Sequence, residues 1–283
     1  MTEIRIDAAG EISTDPVDFE EAVALVGSQG LSGIWIRSDF LAGRPGAPTI
    51  DLSLLRGLTE LRSFGISEDV GVDRLLDFPA VYSLGDQLET LAMYTFPSLD
   101  LSKFHRLEVL MLRDDPKVTG FEQLAALRQV RLSRWRRPNL SILANSPRLA
   151  ELKIVQATPE ALVGLEQLRA LTQLELSHCI KLRSITPLPP TLKTLSIERC
   201  PKLTSLDFLR DNPSVETVKA TTIDSLAFVP SMARISYINF GKLVDRDLSP
   251  VLASSTMRQV HFLPKKSYSH SPEQLNEALA TRR

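Results

Sequence analysis

Residues 171–188 read LTQLELSHCIKLRSITPL, and residues 192–209 read LKTLSIERCPKLTSLDFL. We align the two stretches so that their first leucines coincide. Seven positions then match, six of them apolar in both stretches and one a cysteine in both. The matched pairs are Leu171 and Leu192, Leu174 and Leu195, Leu176 and Ile197, Cys179 and Cys200, Leu182 and Leu203, Ile185 and Leu206, and Leu188 and Leu209. The two stretches are therefore consecutive copies of one repeat, L-x-x-L-x-L-x-x-C-x-x-L.

The spacing inside each copy predicts a short strand followed by an irregular return. The L-x-L part alternates with a period of two, which is typical of a strand with one buried face. The later apolar residues recur about every three positions, as they do along a tight helical turn. One copy cannot bury its own leucines, so the copies must stack into a parallel sheet in which each return is the crossover.

The same pattern extends in both directions along the chain. We mark each predicted strand by its last apolar residue, which gives Ile36, Ile66, Met93, Leu112, Leu132, Ile154, Leu176, Ile197, Ala220, Tyr237 and Phe262. From Met93 to Ala220 the successive gaps are nearly constant, whereas the first two and last two gaps are irregular. The regular part is predicted to be the centre of the sheet.

These motifs resemble the leucine-rich repeat family, and the resemblance covers roughly residues 31–262. It implies an α/β fold, a curved leucine-rich repeat solenoid with a parallel β-sheet on the concave face and mixed helical and extended returns on the convex face. The family's common role is protein recognition by the concave face. Residues 187–197, PLPPTLKTLSI, also resemble the short repeats of bacterial type III secreted effectors, but only one copy has that form.

The two ends of the chain do not fit the repeat. Residues 1–30 are predicted to form an N-terminal cap, a small hairpin followed by a helix that Asp15-Pro16 begins and that Gly27 and Gly30 close. Residues 263–283 are predicted to be a polar linker and a capping helix that begins at Ser271-Pro272. Such caps would cover the apolar edges that a stack of repeats leaves exposed.

Composition limits the classes of function. The formal net charge is −1, which argues against a general nucleic-acid or anionic-membrane binder. The N-terminus lacks an apolar signal segment and no apolar run is long enough to span a membrane, so we expect a cytoplasmic protein. Secretion by a signal-independent apparatus stays open.

Cys179 and Cys200 occupy the turn position that asparagine usually holds in this family. We interpret them as small, buried, reduced residues, a role that free cysteine suits. A structural zinc site needs four ligands, and a catalytic cysteine needs a base, and neither constellation is visible. The sequence therefore predicts no cofactor, no metal and no catalytic residues, and the protein is predicted not to be an enzyme.

The outward-facing strand positions supply the candidate binding residues. Residues between and just after the alternating leucines should point to solvent on the concave face. Exposed aromatic and methionine residues beside arginines match the composition of binding hot spots. The candidate partner-binding residues are Trp35, Tyr94, Met111, Arg113, Arg131, Arg134, Lys153, Glu175, His178, Glu198 and Arg199. Arg131 and Lys153 would stand side by side, with Glu175 offsetting only part of their charge, which favours a protein partner with an acidic patch.

The run from Arg128 to Arg137, RQVRLSRWRR, holds five arginines and one tryptophan. Such a run could contact nucleic-acid phosphates, but it is a single patch in a neutral chain, so an acidic protein partner is favoured. Trp135 lies where the repeat turns inward, and its place in the core or at an interface stays open.

These observations favour a non-enzymatic protein that grips a protein partner with its concave face. A narrower hypothesis is a bacterial immunity or inhibitor protein that covers a toxin or enzyme, since the chain reads as an unfused solenoid without a signal segment. The alternatives are a signal-independent secreted effector, an enzyme with its activity in the caps, and a nucleic-acid binder. Neither a membrane nor a small-molecule substrate is predicted.

Overall fold

The computed structural model describes residues 4–37, 48–185 and 187–281. The chain forms two compact units. Unit 1 contains residues 1–132 and 145–148, and unit 2 contains residues 133–144 and 149–283. No described helix is long and apolar enough to cross a membrane.

Unit 1 is built on strands that follow one another along the chain. They are β1 (Arg5–Ile6), β2 (Glu11–Thr14), β3 (Gly33–Ile36), β4 (Ile50–Asp51), β5 (Ser63–Ile66), β6 (Leu75–Leu76), β7 (Thr90–Met93), β8 (Leu99–Asp100), β9 (Val109–Arg113), β10 (Val118–Thr119) and β11 (Gln129–Ser133), the last residue of which belongs to unit 2. The main sheet has the order β1-β2-β3-β5-β7-β9-β11. Only the β1–β2 hairpin at its start is antiparallel among the pairs whose direction is described, and β3, β5, β7 and β9 pair in parallel.

Unit 2 continues the same construction with six strands of the main-sheet type. They are β12 (Glu151–Val155), β13 (Gln173–Ser177), β14 (Thr194–Glu198), β15 (Thr217–Ile223), β16 (Tyr237–Leu243) and β17 (Gln259–Phe262). Each pairs in parallel with the next in sequence order. The predicted leucine-rich repeat solenoid fold, with a large parallel sheet and few helices, is confirmed.

Alternation within the strands produces the core. In unit 2 one buried row is formed by Leu152, Leu174, Leu195, Val218, Ile238 and Val260, which stand opposite one another in register. A second row is formed by Ile154, Leu176, Ile197, Ala220, Phe240 and Phe262. The residues between the rows point to the opposite side of the sheet, and those of unit 2 are half-buried or exposed. This side of the strands is called the strand face below.

The returns are tighter than the sequence suggested. Mixed helical and extended returns were expected, but in residues 159–168 only Leu165–Gln167 is helical, as a 3-10 turn. Isolated parallel bridges join Asn139 to Val163 and Ala161 to Ser184, so this return is held mainly by pairing with its neighbours. The 3-10 segments of the chain are Pro16–Asp18, Leu52–Leu55, Val72–Arg74, Phe78–Leu84, Leu101–Lys103, Phe121–Gln123, Ser141–Leu143, Leu165–Gln167, Asp207–Leu209 and Val229–Ser231.

Three α-helices are present in the described residues: α1 (Phe19–Gln29), α2 (Ser249–Ala253) and α3 (Pro272–Ala280). Helix α1 ends at Gly30, whose left-handed backbone (φ 64°) places its N–H on the Val26 carbonyl. Helix α3 starts with a reciprocal capping box between Ser271 and Gln274. Asn276 of α3 also bonds both backbone groups of Val260, so this helix is fixed to the last strand of unit 2.

One predicted strand position was wrong. Tyr237 was taken as the inward residue of its repeat, but Tyr237 pairs with Thr217, and Phe240 is the residue opposite both Ala220 and Phe262. With Phe240 in that row the last two spacings become nearly equal to those of the preceding repeats, so the repeat is regular to its end. The sequence SYINF allows two registers, and burial of the Phe240 ring against that of Phe262, 5.0 Å between centroids, selects one of them.

Candidate functional site

Trp35 lies on the strand face of β3 and is half-buried. Its Nε1 donates a hydrogen bond to Glu11 Oε2 at 2.9 Å. The indole lies across the backbone of Gly65 on the neighbouring strand, where an added Cβ would lie 2.5 Å from Cε3. The guanidinium of Arg37 is 5.7 Å from the ring centroid. Glu11 therefore holds the indole N–H, Gly65 packs against the ring, and the Arg37 guanidinium lies over it.

A second group forms around Tyr94, which directly follows β7. In the β7–β9 register Ala92 stands opposite Met111, so Tyr94 is beside Arg113. The backbone N–H groups of Arg128 and Gln129 both donate to the Glu108 carbonyl, and this pattern sets Met111 opposite Arg131 on β11. The neighbouring main-sheet strands β7, β9 and β11 thus bring together four predicted residues, Tyr94, Met111, Arg113 and Arg131, which we call the tyrosine–arginine patch.

Electrostatics support the closeness of two members of this patch. Burial raises the pKa of the Tyr94 phenol, and the positive charge of Arg131 acts in the opposite direction. Tyr94, Met111 and Arg113 are half-buried, whereas Arg131 is exposed. The patch therefore combines partly desolvated apolar surface with a solvent-facing arginine, which is the composition that interfaces enrich.

Lys153 and Glu175 lie opposite each other on β12 and β13 of unit 2. Their Nζ and Oε1 atoms are 2.5 Å apart, and about a third of each side chain is exposed. The sequence predicted that Glu175 would offset part of the combined charge of Arg131 and Lys153, and the contact through which it pairs with the Lys153 ammonium is direct. Lys153 is thus a weaker source of positive field than the sequence indicated.

The remaining predicted residues follow the ends of their strands in unit 2. Arg134, His178 and Arg199 each stand two residues after an inward-facing strand residue and adopt left-handed backbone, with φ of 53°, 56° and 51°. Gln156 holds the same position with φ 57°. The four N–H groups donate in turn to Val155 O, Ser177 O, Glu198 O and Thr221 Oγ1, at 2.8–2.9 Å. Each left-handed residue is therefore bonded to the next repeat.

Side-chain contacts link two of these turns. Nη1 of Arg199 lies 3.0 Å from Nε2 of His178, and Nδ1 of His178 lies 2.8 Å from Ser177 Oγ. Because arginine can only donate, the Arg199 guanidinium is the donor in its contact with Nε2. Glu198, the last residue of β14, is exposed. Sequence analysis missed this row of turns because neither glycine nor asparagine marks it.

The structure decides two further points. Trp135 is fully buried, so it belongs to the core of unit 2, and the guanidinium of Arg137 lies 5.6 Å from its ring centroid. Both cysteines are buried free thiols. Sγ of Cys179 lies 3.4 Å from Ser177 O, and Sγ of Cys200 lies 3.4 Å from Glu198 O. The hydrogen bond with Cys179 and burial raise the pKa of Cys200. Within the described residues, no group of three or more His, Cys, Asp or Glu could hold a metal ion.

Comparisons with known proteins give matches among solved structures. No protein-family model matches the chain. No curated protein matches it at significance. An internalin (InlF) from Listeria monocytogenes is similar at 16% identity and a TM-score of 0.48, over 91% of this chain and 88% of that one. The mouse RP105/MD-1 complex is similar at 15% identity and a TM-score of 0.39, over 88% of this chain and 52% of that one. The plant peptide hormone receptor RGFR1, solved in complex with RGF2, is similar at 11% identity and a TM-score of 0.25, over 78% of this chain and 53% of that one.

Proposed function

We propose that this leucine-rich repeat solenoid is a non-enzymatic protein-binding protein, and that the tyrosine–arginine patch on the strand face of unit 1 contacts its partner. The observation that carries this proposal is the assembly of Tyr94, Met111, Arg113 and Arg131 along three neighbouring strands of the main sheet. Tyrosine and arginine are the residues most often found at the energetic centres of interfaces.

The chemistry of the patch indicates its partner. Two arginines flank half-buried apolar surface, so a complementary protein would present carboxylates around an apolar contact. Arginine supports such a contact well, because its planar guanidinium can bind a carboxylate through two parallel hydrogen bonds. The partner is therefore proposed to be a protein with an acidic patch, and neither a membrane nor a small molecule is required.

An immunity or inhibitor role is the narrower form of this proposal. In this role the tyrosine–arginine patch would cover an acidic surface of a toxin or enzyme. The bound partner is then expected to lose its activity. The two free buried thiols support a reducing compartment, so the proposed location is the cytoplasm.

The test compares partner capture by the wild-type protein with capture by the Arg113→Glu/Arg131→Glu double variant. Tagged proteins would be used to capture partners from the native host, and mass spectrometry would identify what the wild type alone retains. A matched control is Lys103→Glu/Lys117→Glu, which reverses two exposed cations on returns of the same unit. Circular dichroism would establish that all three proteins are folded.

We expect the double variant to lose the partner and the control to keep it. Association of the wild type should also slow as salt rises, since steering between opposite charges is screened. If a folded Arg113→Glu/Arg131→Glu protein captures the same partner as the wild type does, the interface lies elsewhere and the proposal is wrong.

A further inference from the structure

A second charged surface lies in unit 2, at the turns that follow β13 and β14. The two turns run from His178 to Arg183 and from Arg199 to Thr204. They contain four cations and no aspartate or glutamate, in a chain whose net charge is −1. The cations are Lys181, Arg183, Arg199 and Lys202. We call this surface the exit edge, because the two strands leave the sheet there.

The two turns repeat the same order of side chains. Each begins with a left-handed residue, His178 or Arg199, and continues with a buried cysteine. An exposed apolar residue and an exposed lysine follow in each case. Ile180 is 61% exposed, and Pro201 is the equivalent residue of the next turn. Because the repeats stack in register, equivalent side chains of the two turns form short rows. The apolar row, Ile180 with Pro201, lies between two polar rows that carry positive charge, His178 with Arg199 and Lys181 with Lys202.

Backbone conformation indicates that the side chains at the left-handed positions matter. A left-handed backbone costs a residue with a Cβ roughly 1–2 kcal/mol, a cost that glycine avoids. Arg134, Gln156, His178 and Arg199 occupy four successive positions of this kind, and none is glycine or asparagine. Their turns are held by bonds to the next repeat through the backbone N–H, which glycine would supply equally well. Long polar side chains are therefore not needed for the turn itself.

The Arg199 guanidinium is held in place but not neutralised. Among the residues the structure describes, its hydrogen bond is to His178 Nε2 at 3.0 Å, and His178 is itself fixed by Ser177. In the same part of the chain, no carboxylate lies within 4.0 Å of the charged groups of Lys181, Arg199 or Lys202, whereas Arg183 pairs with Glu160 at 3.7 Å. An arginine has five N–H donors, so Arg199 retains the donors needed to bind a carboxylate.

We propose that the exit edge binds an acidic segment of a protein in extended form, with carboxylates over the two polar rows and an apolar side chain over Ile180 and Pro201. A nucleic acid fits less well. Single strands are usually held by large aromatic side chains that stack on bases, and neither turn contains Phe, Tyr or Trp. Trp135, the one tryptophan of the nearby arginine-rich run, is fully buried and provides no stacking surface.

The test uses purified full-length protein and fluorescence anisotropy. The probe is a short fluorescein-labelled peptide of repeating Asp-Ile-Glu, with an Asn-Ile-Gln peptide of the same length as the neutral comparison. A labelled oligothymidylate tests the nucleic-acid alternative. The variants are Lys181→Glu/Lys202→Glu for the polar rows and Ile180→Ser for the apolar row. The matched control, Lys193→Glu/Arg258→Glu, reverses two exposed cations at the entry ends of β14 and β17 in the same unit.

The acidic peptide should bind the wild type, and Lys181→Glu/Lys202→Glu should weaken binding about tenfold or more, since attraction becomes repulsion. Ile180→Ser should weaken it about threefold to tenfold through lost apolar contact. The control variant should bind as the wild type does, and the loss in Lys181→Glu/Lys202→Glu should be equally large when Arg113→Glu/Arg131→Glu is also present. The proposal therefore stands or falls independently of the function proposed for unit 1.

Several outcomes would overturn it. If the neutral Asn-Ile-Gln peptide binds as tightly as the acidic peptide, the carboxylates do not contribute to binding. If Lys193→Glu/Arg258→Glu weakens binding as much as Lys181→Glu/Lys202→Glu does, the effect comes from the overall charge of the unit and not from the exit edge. Binding of oligothymidylate alone, with loss in Lys181→Glu/Lys202→Glu, would make the edge a phosphate-binding surface. No rise in anisotropy with the acidic peptide would also reject the proposal.

Discussion

Trp35 lies flat on the backbone of Gly65, so closely that a Cβ built on the glycine would be 2.5 Å from Cε3 and 2.9 Å from Cζ3 of the indole. Gly65 has ordinary strand backbone and is buried on β5, so the glycine is needed for space and not for conformation. A large aromatic ring is thereby packed against the sheet, beside the Arg37 guanidinium 5.7 Å from its centroid.

Gly65→Ala should therefore displace Trp35 from the sheet. Overpacking of this kind typically costs about 1–3 kcal/mol, and we expect a loss of that size in the free energy of unfolding, measured in urea. The near-ultraviolet circular dichroism of the indole should change as well. Gly27→Ala is the matched control, because its Cβ would meet nothing within 4 Å in α1, and it should stabilise by about 0.5–1 kcal/mol. An unchanged unfolding midpoint in Gly65→Ala would show that the ring can move aside without loss.

Leu174→Ala tests the stacked core. Leu174 is 1% exposed and stands between Leu152 and Leu195 in register, so truncation leaves a cavity bounded by both neighbours. We expect a loss of about 2–5 kcal/mol in the free energy of unfolding. Gln173→Ala, on the exposed side of the same strand, should stay within about 0.5 kcal/mol. Similar small effects for both variants would mean that the leucine row is not a packed core.

The two cysteines should be slow to react in the native protein. Cys179 is 0% exposed and Cys200 4%, so a reagent has little access to either sulfur, even though the hydrogen bond from Cys200 lowers the pKa of Cys179 to about 7. Titration with an aromatic disulfide reagent should label both thiols rapidly only after denaturant is added. Cys179→Ala/Cys200→Ala should keep partner capture, and metal analysis should find no stoichiometric zinc. Fast labelling of the native protein, or zinc at one equivalent, would reveal a site that this packing does not explain.

The lowered pKa of Asp100 should make the free energy of unfolding depend on pH in the acid range. Its Oδ1 accepts hydrogen bonds from Ser102 Oγ at 2.6 Å and Ser102 N at 3.0 Å, and these hold its pKa below the ordinary value of 3.8. Because the folded-state pKa is the lower one, the stabilisation is fully present above the unfolded value. It is lost as the pH falls through 3.8 toward the folded value.

Asp100→Asn should lower stability at neutral pH and flatten its decline in acid, measured as unfolding free energy from neutral pH down to acid. Glu122→Gln, at an exposed position of the following 3-10 turn, should leave the slope unchanged. A slope in Asp100→Asn equal to that of the wild type would assign the acid sensitivity to other carboxylates.

Much of the fold was predictable because its determinants are local. Alternation around Leu174 and Leu195 fixes which face of each strand is buried, and the nearly constant repeat length fixes which strands become neighbours. For the candidate site, the sequence likewise predicts which side chains lie on the strand face. Tyr94, Met111, Arg113 and Arg131 follow from their offsets relative to the leucines, since side chains in a strand alternate strictly between its two sides.

What the sequence by itself determined is the period, the inward rows and the set of side chains that can face outward. Only the tertiary structure decided the register at Phe240, the burial of Trp135, the ion pair between Lys153 and Glu175, and the row of left-handed turns through His178 and Arg199. The physical reason is that each of these depends on a contact with a neighbouring repeat. A pattern within one repeat specifies the direction of a side chain, whereas the adjacent repeat, a full period away along the chain, decides whether that side chain is buried, paired or left for a partner.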